Sequence, residues 1–422
     1  MFEGLMRKVA GRFARVEPRR RARAFVLGLL ADLPRKNCWT TAEHAGNASP
    51  AGMQHLLSRA CWDADRVRDD IRDFVVEHLG DEDAVLVVDE TGDLKKGTAS
   101  VGVQRRYTGT AGRIENSQVA VYLVHASAAG HAAIDRRLYI PRSWTQDPQR
   151  CRSVGIPDDL RFATKPALAT EMIAQAQAQA LDAGVRARWV TGDEVYGGDP
   201  HLSADLEQRQ IGYGLAISRK RPVPTHAGIF PAGVLAPGLP KKAWQRLSAG
   251  AGAKGHRFYD WAQVEITSPS GTSGHRWLLV RCNRRTGELA CYRCYSPRPV
   301  PLTALVKVAG RRWTVEETFQ AAKSLAGPDE HQVRRWVSWH RWTTLAMLAH
   351  AFLAVTAAIE RATTTTTPEL SPLTCNEIQR LFAALLAPAR DLAHRLHRSA
   401  WRRQHQARSR TSHYQRQATQ QP

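Results

Sequence analysis

The stretch that decides the fold is AVLVVDETG at residues 84–92, where five apolar residues end at Asp89. A short, β-branched apolar run bounded by a glycine turn predicts a buried strand. RWVTGDEVYG at residues 188–197 repeats the arrangement, with Asp193 after the strand. Carboxyl ends of strands line the ligand crevice of an open α/β sheet, so the two acids can meet there. The alternative is that each aspartate caps the turn that follows it.

Further strands and helices surround these two stretches. Apolar patterns predict strands at residues 100–109, 117–127 and 132–141, and a helix from Lys165 to Ala183. Residues 220–300 are rich in Gly and Pro and offer short strands, which indicates a β-rich insertion. Strands joined by a crossover helix predict an α/β core with helices on its faces.

The first eighty residues have helical patterns, and Arg19, Arg20, Arg21 and Arg23 form a basic cluster there. Two short predicted helices flank Ala45-Gly46-Asn47, with Ser49-Pro50 expected to open the second. This order predicts a helix-turn-helix, which either reads DNA or only packs within a helical domain.

The composition narrows the possible partners. The chain has 422 residues, 43% of them apolar, and 60 Lys+Arg against 39 Asp+Glu give a net charge of +21. Such an imbalance favours nucleic acid first and an anionic membrane second. The one long apolar run, Thr343–Ile359, is shorter than a bilayer requires, so we interpret it as a buried helix. Seven dispersed cysteines fit a reducing cytoplasm.

A third acidic position lies in RRWTVEETFQAAK at residues 311–323, within a helix expected to run from Ala309 to Leu325. At about 100° per residue, Arg312, Glu316 and Lys323 share one face, and Glu317 points away from it. The simpler interpretation is a solvated helix face with an i,i+4 ion pair.

Together these blocks resemble the catalytic blocks of bacterial insertion-sequence DDE transposases. VVDETG, TGDEVYG and RRWTVEETFQAAK resemble the cut-and-paste group that has a Tyr-Arg-Glu-Lys signature and an RNase H-like core interrupted by a β-rich insertion. The resemblance extends to the segments at residues 100–123, 136–144 and 331–353. It covers residues 20–360 approximately, and the joint order and spacing of the blocks make it specific.

The resemblance implies roles for individual residues. Asp89, Asp193 and Glu316 would be the catalytic, metal-binding acids, and Arg312 and Lys323 would face phosphate. Two Mg²⁺ ions, for which Mn²⁺ can substitute, would act in cleavage and strand transfer of DNA. This sequence departs from the signature at one position, because Ala309 stands where the family has tyrosine. One DNA contact of the family is therefore expected to be missing there.

The implied partners are transposon ends and target DNA, bound by a homodimer in the bacterial cytoplasm at the nucleoid, with no membrane association. Further candidate DNA contacts are Arg105, Arg106 and Arg113. Two alternatives remain: an RNase H-like nuclease that does not join strands, and a catalytically silent DNA-binding relic. The predicted domains are an N-terminal helical, DNA-binding domain (1–80), two parts of the RNase H-like core (81–215 and 303–361), the β-rich insertion (216–302), and a linker, helix and basic tail (362–422).

Overall fold

A computed structural model of the chain describes residues 1–109, 112–183, 187–252, 255–267, 273–363 and 373–385, with positions 401, 403 and 408. Nearly all of the predicted Thr-rich linker and basic tail lie outside the described residues. In the described chain, helices at both ends enclose a mixed sheet.

The N-terminal part is helical, as the sequence predicts. Its helices are α1 (Phe2–Ala10), α2 (Val16–Leu30), α3 (Cys38–His44), α4 (Ala51–Ser58) and α5 (Ala64–Leu79). The side chain of Asn37 caps α3 by accepting a 3.1 Å hydrogen bond from the amide of Thr40. Pro50 directly precedes α4. The pair α3–α4 has the order of a helix-turn-helix, and its role in reading DNA stays a prediction.

Twelve strands are described. They are β1 (Val85–Leu94), β2 (Gln104–Thr108), β3 (Arg113–Ala126), β4 (His131–Leu138), β5 (Trp189–Gly192), β6 (Gly212–Ile217), β7 (Pro222–Thr225), β8 (Gly228–Pro231), β9 (Gln245–Gly252), β10 (Gly255–Glu265), β11 (His275–Cys282) and β12 (Leu289–Ser296). β1 pairs antiparallel with β3 and parallel with β5, and β5 pairs parallel with β6. β4 lies antiparallel to β3. These pairings build the RNase H-like mixed sheet that the sequence predicts.

The β-rich insertion is continuous with this sheet. β12 pairs antiparallel with β6, and β11, β10 and β9 follow in order at the same end of the sheet. β7 and β8 form a separate two-stranded ribbon. The insertion therefore extends the core sheet beyond β6, and the ribbon stands outside that sheet.

The remaining helices pack against the faces of the sheet or follow it. They are α6 (Arg142–Thr145), α7 (Pro148–Val154), α8 (Lys165–Ala183), α9 (Glu194–Gly197), α10 (Pro200–Gln208), α11 (Ala232–Leu235), α12 (Leu302–Arg311), α13 (Trp313–Ala326), α14 (Trp336–Thr363) and α15 (Cys375–Leu385). The continuous helix expected from Ala309 to Leu325 is wrong, because the chain divides at Arg312 into α12 and α13.

Helix α14 contains the long apolar run and lies in the core. Its length and composition would suit a membrane span, but 89% of its most apolar stretch is buried inside the fold. Trp342 packs edge-on against Phe25 of α2, with ring centroids 5.3 Å apart. Arg341 donates a 2.9 Å hydrogen bond to the carbonyl of Trp62, so a buried charge is satisfied. The N-terminal helices and the sheet consequently share one apolar core.

Candidate active site

Asp89 is the first polar residue of β1 after four buried ones. Its Oδ1 accepts a 2.7 Å hydrogen bond from the amide of Glu90. Burial, reinforced by the neighbouring charge of Asp193, raises the pKa of Asp89 to about 7. Burial of an ionisable carboxyl group favours its protonated form.

Asp193 lies beside Asp89 because of the strand register. In the parallel pair β1–β5, Val88 is opposite Gly192, so the next residue of each strand is an aspartate. Asp193 also caps α9, since its Oδ1 accepts a 2.9 Å hydrogen bond from the amide of Val195. Burial raises the pKa of Asp193, and this hydrogen bond opposes the increase. The capping role and the site role therefore coexist in one side chain.

Two glycines allow the segment around Asp193 to lie close to its neighbours. A Cβ on Gly192 would stand 2.9 Å from Cγ1 of Val88, and one on Gly197 would stand 1.9 Å from the carbonyl oxygen of Ala216. Neither position has room for a side chain. Close packing of α9 on β6 thus fixes the segment that presents Asp193.

Glu90 joins the site in a way that the sequence patterns did not predict. Tyr196, three residues after Asp193, donates a 2.8 Å hydrogen bond to Oε2 of Glu90. Lys165, the first residue of α8, forms an ion pair with Oε1 of the same carboxylate. Burial and this glutamate raise the pKa of Tyr196. Glu90 therefore ties α8 and α9 to β1 next to the aspartate pair.

Arg312 connects the aspartates to the signature helix. Its Nη1 lies 3.1 Å from Oε1 of Glu316, whose side chain is 43% exposed. The positive charge of Arg312 also lowers the pKa of both Asp89 and Asp193, partly offsetting burial. One guanidinium is therefore within electrostatic reach of all three predicted acids. This i,i+4 pair is also the bond that the simpler interpretation of the helix predicts.

Glu317 lies on a different face from Glu316, as expected. Its Oε2 is 3.5 Å from Nε2 of His131, and the hydrogen bond from His131 lowers the pKa of Glu317. This contact belongs to β4, away from the aspartate pair.

The donor set suits a hard divalent cation, because it offers carboxylate oxygens in a partly buried place. Asp89 and Asp193 are neighbours, and burial is the main cause of their raised pKa values. Among the residues that the structure describes, no three His, Cys, Asp or Glu side chains converge closely enough to form a metal site by themselves. Glu316 is instead turned onto Arg312.

Lys323 and the other predicted DNA contacts occupy varied environments. The ammonium of Lys323 lies 3.3 Å from Oδ1 of Asp93 and donates to the carbonyl of Gly92 at 3.2 Å. It therefore braces α13 against β1 in the protein alone. The other three candidates lie at the β2–β3 edge: Arg105 is exposed, Arg106 lines a cavity of about 280 Å³ together with Glu90 and Lys165, and Arg113 is paired with Glu115 at 2.9 Å.

Ala309, at the signature tyrosine position, is only 4% exposed. It packs in a second apolar core with Leu305 and Ala249, where α12 meets the insertion. Helix α12 and strand β9 are in close contact here, because a Cβ on the adjacent Gly310 would stand 2.2 Å from the carbonyl oxygen of Ala249. The position faces the insertion rather than solvent.

Comparisons with known proteins agree with the sequence blocks. Residues 8–250 match the family described as DDE superfamily endonuclease. Over 193 residues the chain is 28% identical to the probable transposase for insertion sequence element IS701 of Microchaete diplosiphon. That alignment covers 45% of this chain and 47% of the relative, so the chain matches about half of the relative's length. The piggyBac transposase synaptic complex with hairpin DNA aligns with a TM-score of 0.45 and 10% identity, over 92% of this chain and 76% of that one.

Proposed function

The chain belongs to the DDE superfamily endonucleases, and we propose that it is the transposase of a bacterial insertion sequence, which cuts DNA and joins the freed ends to a target. The observation that carries the proposal is the β1–β5 register, which brings Asp89 and Asp193 together at one sheet edge. The charge of Arg312 acts on both aspartates, while its guanidinium holds Glu316.

Asp89, Asp193 and Glu316 would hold the divalent ions. When bound, Mg²⁺ or Mn²⁺ would activate the oxygen that attacks the phosphodiester and stabilise the oxygen that leaves. The family match ends at residue 250, so the role of Glu316 rests on its signature context and on its contact with Arg312.

The protein's own groups would bind and orient the DNA strand. Arg312 has a planar guanidinium suited to a phosphate, and DNA would compete with Glu316 for it. Release from Arg312 would leave the Glu316 carboxylate available to the site. Glu90, held by Lys165 and Tyr196, would keep the two aspartate-bearing segments in register. Lys323, Arg105, Arg106 and Arg113 would contact the DNA backbone beyond the reacting phosphate.

Joining two ends requires two active sites, so we propose a homodimer assembled on DNA. The net charge of +21 supports DNA as the partner. A protein that acts on bacterial DNA would work at the nucleoid.

The decisive experiment combines pre-cut DNA ends, taken from the sequences that flank the gene, with a supercoiled plasmid and Mg²⁺. Joined product is expected from the wild type and absent from Asp89→Asn, Asp193→Asn and Glu316→Gln. Glu317→Gln is the matched control, because it changes the adjacent acid, which contacts His131. Cleavage without joining would support the nuclease alternative, and DNA binding without either reaction would support the relic. A dead Glu317→Gln variant beside an active Glu316→Gln variant would overturn the assignment of the third acid.

A further inference from the structure

A long internal segment of the chain carries basic residues and no acidic ones. Residues 208–259 contain nine Lys and Arg and no Asp or Glu. The N-terminal residues 1–80, by contrast, contain 14 basic and 10 acidic residues. The acid-free segment begins at the end of α10 and includes the β7–β8 ribbon and β9. Its charge is uncompensated within the segment itself.

The acid-free segment passes the sheet edge of the candidate active site where β6 ends. β5 and β6 are parallel, with Gly192 opposite Leu215, so their carboxyl ends reach the same sheet edge. Asp193 follows β5, and Ser218–Arg221 follow β6 at that edge. The buried Cys291 thiol, whose pKa is raised mainly by burial, is influenced by both Arg219 and Glu194. The basic residues after β6 are therefore about one strand away from the aspartate pair.

Two exposed pairs of cations frame a small apolar core in this segment. We call Arg219, Lys220, Lys241 and Lys242 the basic ridge; all four are exposed. Ile217 and Trp244, which precede and follow the two pairs, both pack in the same small core. In the described part of the insertion, the ion pairs join Arg276 and Arg293 to Glu207 and Arg284 to Asp260, and none involves a residue of the ridge. Their charges are available to an external anion.

The backbone that presents the ridge is held in place. The amide of Gly233 donates to the carbonyl of Arg219 at 2.8 Å, and the amide of Ala232 donates to the carbonyl of Arg221 at 2.9 Å. These bonds fasten the loop after β6 to α11. A basic segment whose backbone is already fixed loses less conformational entropy when it binds a ligand than a free loop does.

We propose that the basic ridge is a binding surface for the phosphate backbone of duplex DNA, which it guides to the aspartate pair. A protein that neutralises phosphates with Lys and Arg gains affinity by counterion release, independently of base sequence. The absence of acids over the segment removes repulsion of the duplex. The inference rests on the proposed function, because it supplies the DNA path for that same site.

The test uses Lys220→Gln, Lys241→Gln and Lys242→Gln combined in the full chain. The matched control combines Arg7→Gln, Arg188→Gln and Lys307→Gln, which removes the same charge from exposed positions outside the ridge. Binding of a random-sequence duplex is measured by fluorescence anisotropy in a chelator, between about 50 and 200 mM salt. Thermal unfolding of both variants checks that they are folded.

The ridge variant should bind about tenfold more weakly, and the slope of log affinity against log salt should fall by about 0.9 for each phosphate that is no longer neutralised. The control should keep the wild-type slope. Equal slopes for the two variants would overturn the proposal. The two proposals can fail separately. If only the ridge variant binds DNA more weakly but the wild type gives no joined product, the ridge is still a DNA-binding surface and the transposase function is rejected.

Discussion

The phenolic oxygen of Tyr196 donates a 2.8 Å hydrogen bond to Oε2 of Glu90, and this bond joins the two segments that carry Asp89 and Asp193. The residues are 106 positions apart in sequence. Lys165 neutralises the other oxygen of the same carboxylate. The bond therefore connects the chain just after one aspartate to the chain just after the other.

Tyr196→Phe should reduce DNA cleavage beyond its effect on stability. The substitution leaves a partly buried carboxylate oxygen without its donor, which costs about 1–3 kcal/mol of unfolding free energy. The register between β1 and α9 should also loosen. Cleavage rate and urea unfolding, measured on the same preparation, separate the two effects.

Tyr213→Phe is the matched control for that change. Tyr213 of β6 donates a 2.7 Å hydrogen bond to Oε1 of Glu207 on α10, a buried bond that involves neither aspartate. Its removal should destabilise the protein by a similar amount while the folded fraction still cleaves DNA. An equal reduction of cleavage in both variants would mean that Tyr196 acts through stability alone.

Arg312→Gln should lower the cleavage rate by about 10²-fold, as expected when a charge is removed from the place where a phosphate reacts. Arg311→Gln is the control, since Arg311 is half-buried at the end of α12 and is influenced by Asp81 and Asp83 instead. The measurement is single-turnover cleavage at saturating DNA. If Arg311→Gln cleaves DNA more slowly than Arg312→Gln, then Arg312 is not the arginine that acts on the reacting phosphate.

The sequence predicted the aspartate pair because both residues end apolar strands, and the strands proved to be parallel neighbours. It did not predict that Glu90 joins them, because that contact depends on a tyrosine from a later helix. Local periodicity carries no information on such long-range partners. The same limit applies to Lys323, whose contact with Asp93 joins α13 to β1. The break at Arg312 was missed because both flanking helices keep a helical pattern.

Asp89→Asn should stabilise the metal-free protein at about pH 8. Burial and the charge of Asp193 raise the pKa of Asp89 to about 7, whereas an aspartate in an unfolded chain titrates near 3.9, so folding favours the protonated form. The folded state therefore loses stability as pH rises from about 4 to about 7. Removing the charge should restore on the order of 1–3 kcal/mol at about pH 8, and the gain should shrink towards pH 4.

Denaturant unfolding in a chelator measures this gain, and Glu194→Gln, an exposed neighbour, should not reproduce it. Addition of Mn²⁺ should then stabilise the wild type by about 2.7 kcal/mol at a hundred times its dissociation constant, and should not stabilise Asp89→Asn. Equal stabilisation of both proteins by Mn²⁺ would place the ion elsewhere.

Glu207→Gln should make the protein less sensitive to acid. Burial opposes its ionisation, but hydrogen bonds from Arg276 and Tyr213 prevail and lower the pKa of Glu207. A depressed folded pKa gives stability that is present above the unfolded value of about 4.3 and is lost as pH falls through the folded value. Breaking this buried pair, in which Nη2 of Arg276 lies 2.6 Å from Oε2 of Glu207, should cost about 3–5 kcal/mol at neutral pH.

The unfolding free energy of Glu207→Gln should therefore vary less between about pH 5 and 3 than that of the wild type. Glu77→Gln is the comparison, because Glu77 pairs with Lys8 at 3.0 Å with its side chain 60% exposed. An exposed pair contributes little, so this variant should follow the wild-type curve closely. Because Glu207 on α10 bonds to Arg276 on β11, its replacement should also loosen the insertion, which hydrogen exchange at β11 and β12 would detect. If hydrogen exchange at β11 and β12 is unchanged, the Glu207–Arg276 pair does not stabilise the insertion and acts only at α10.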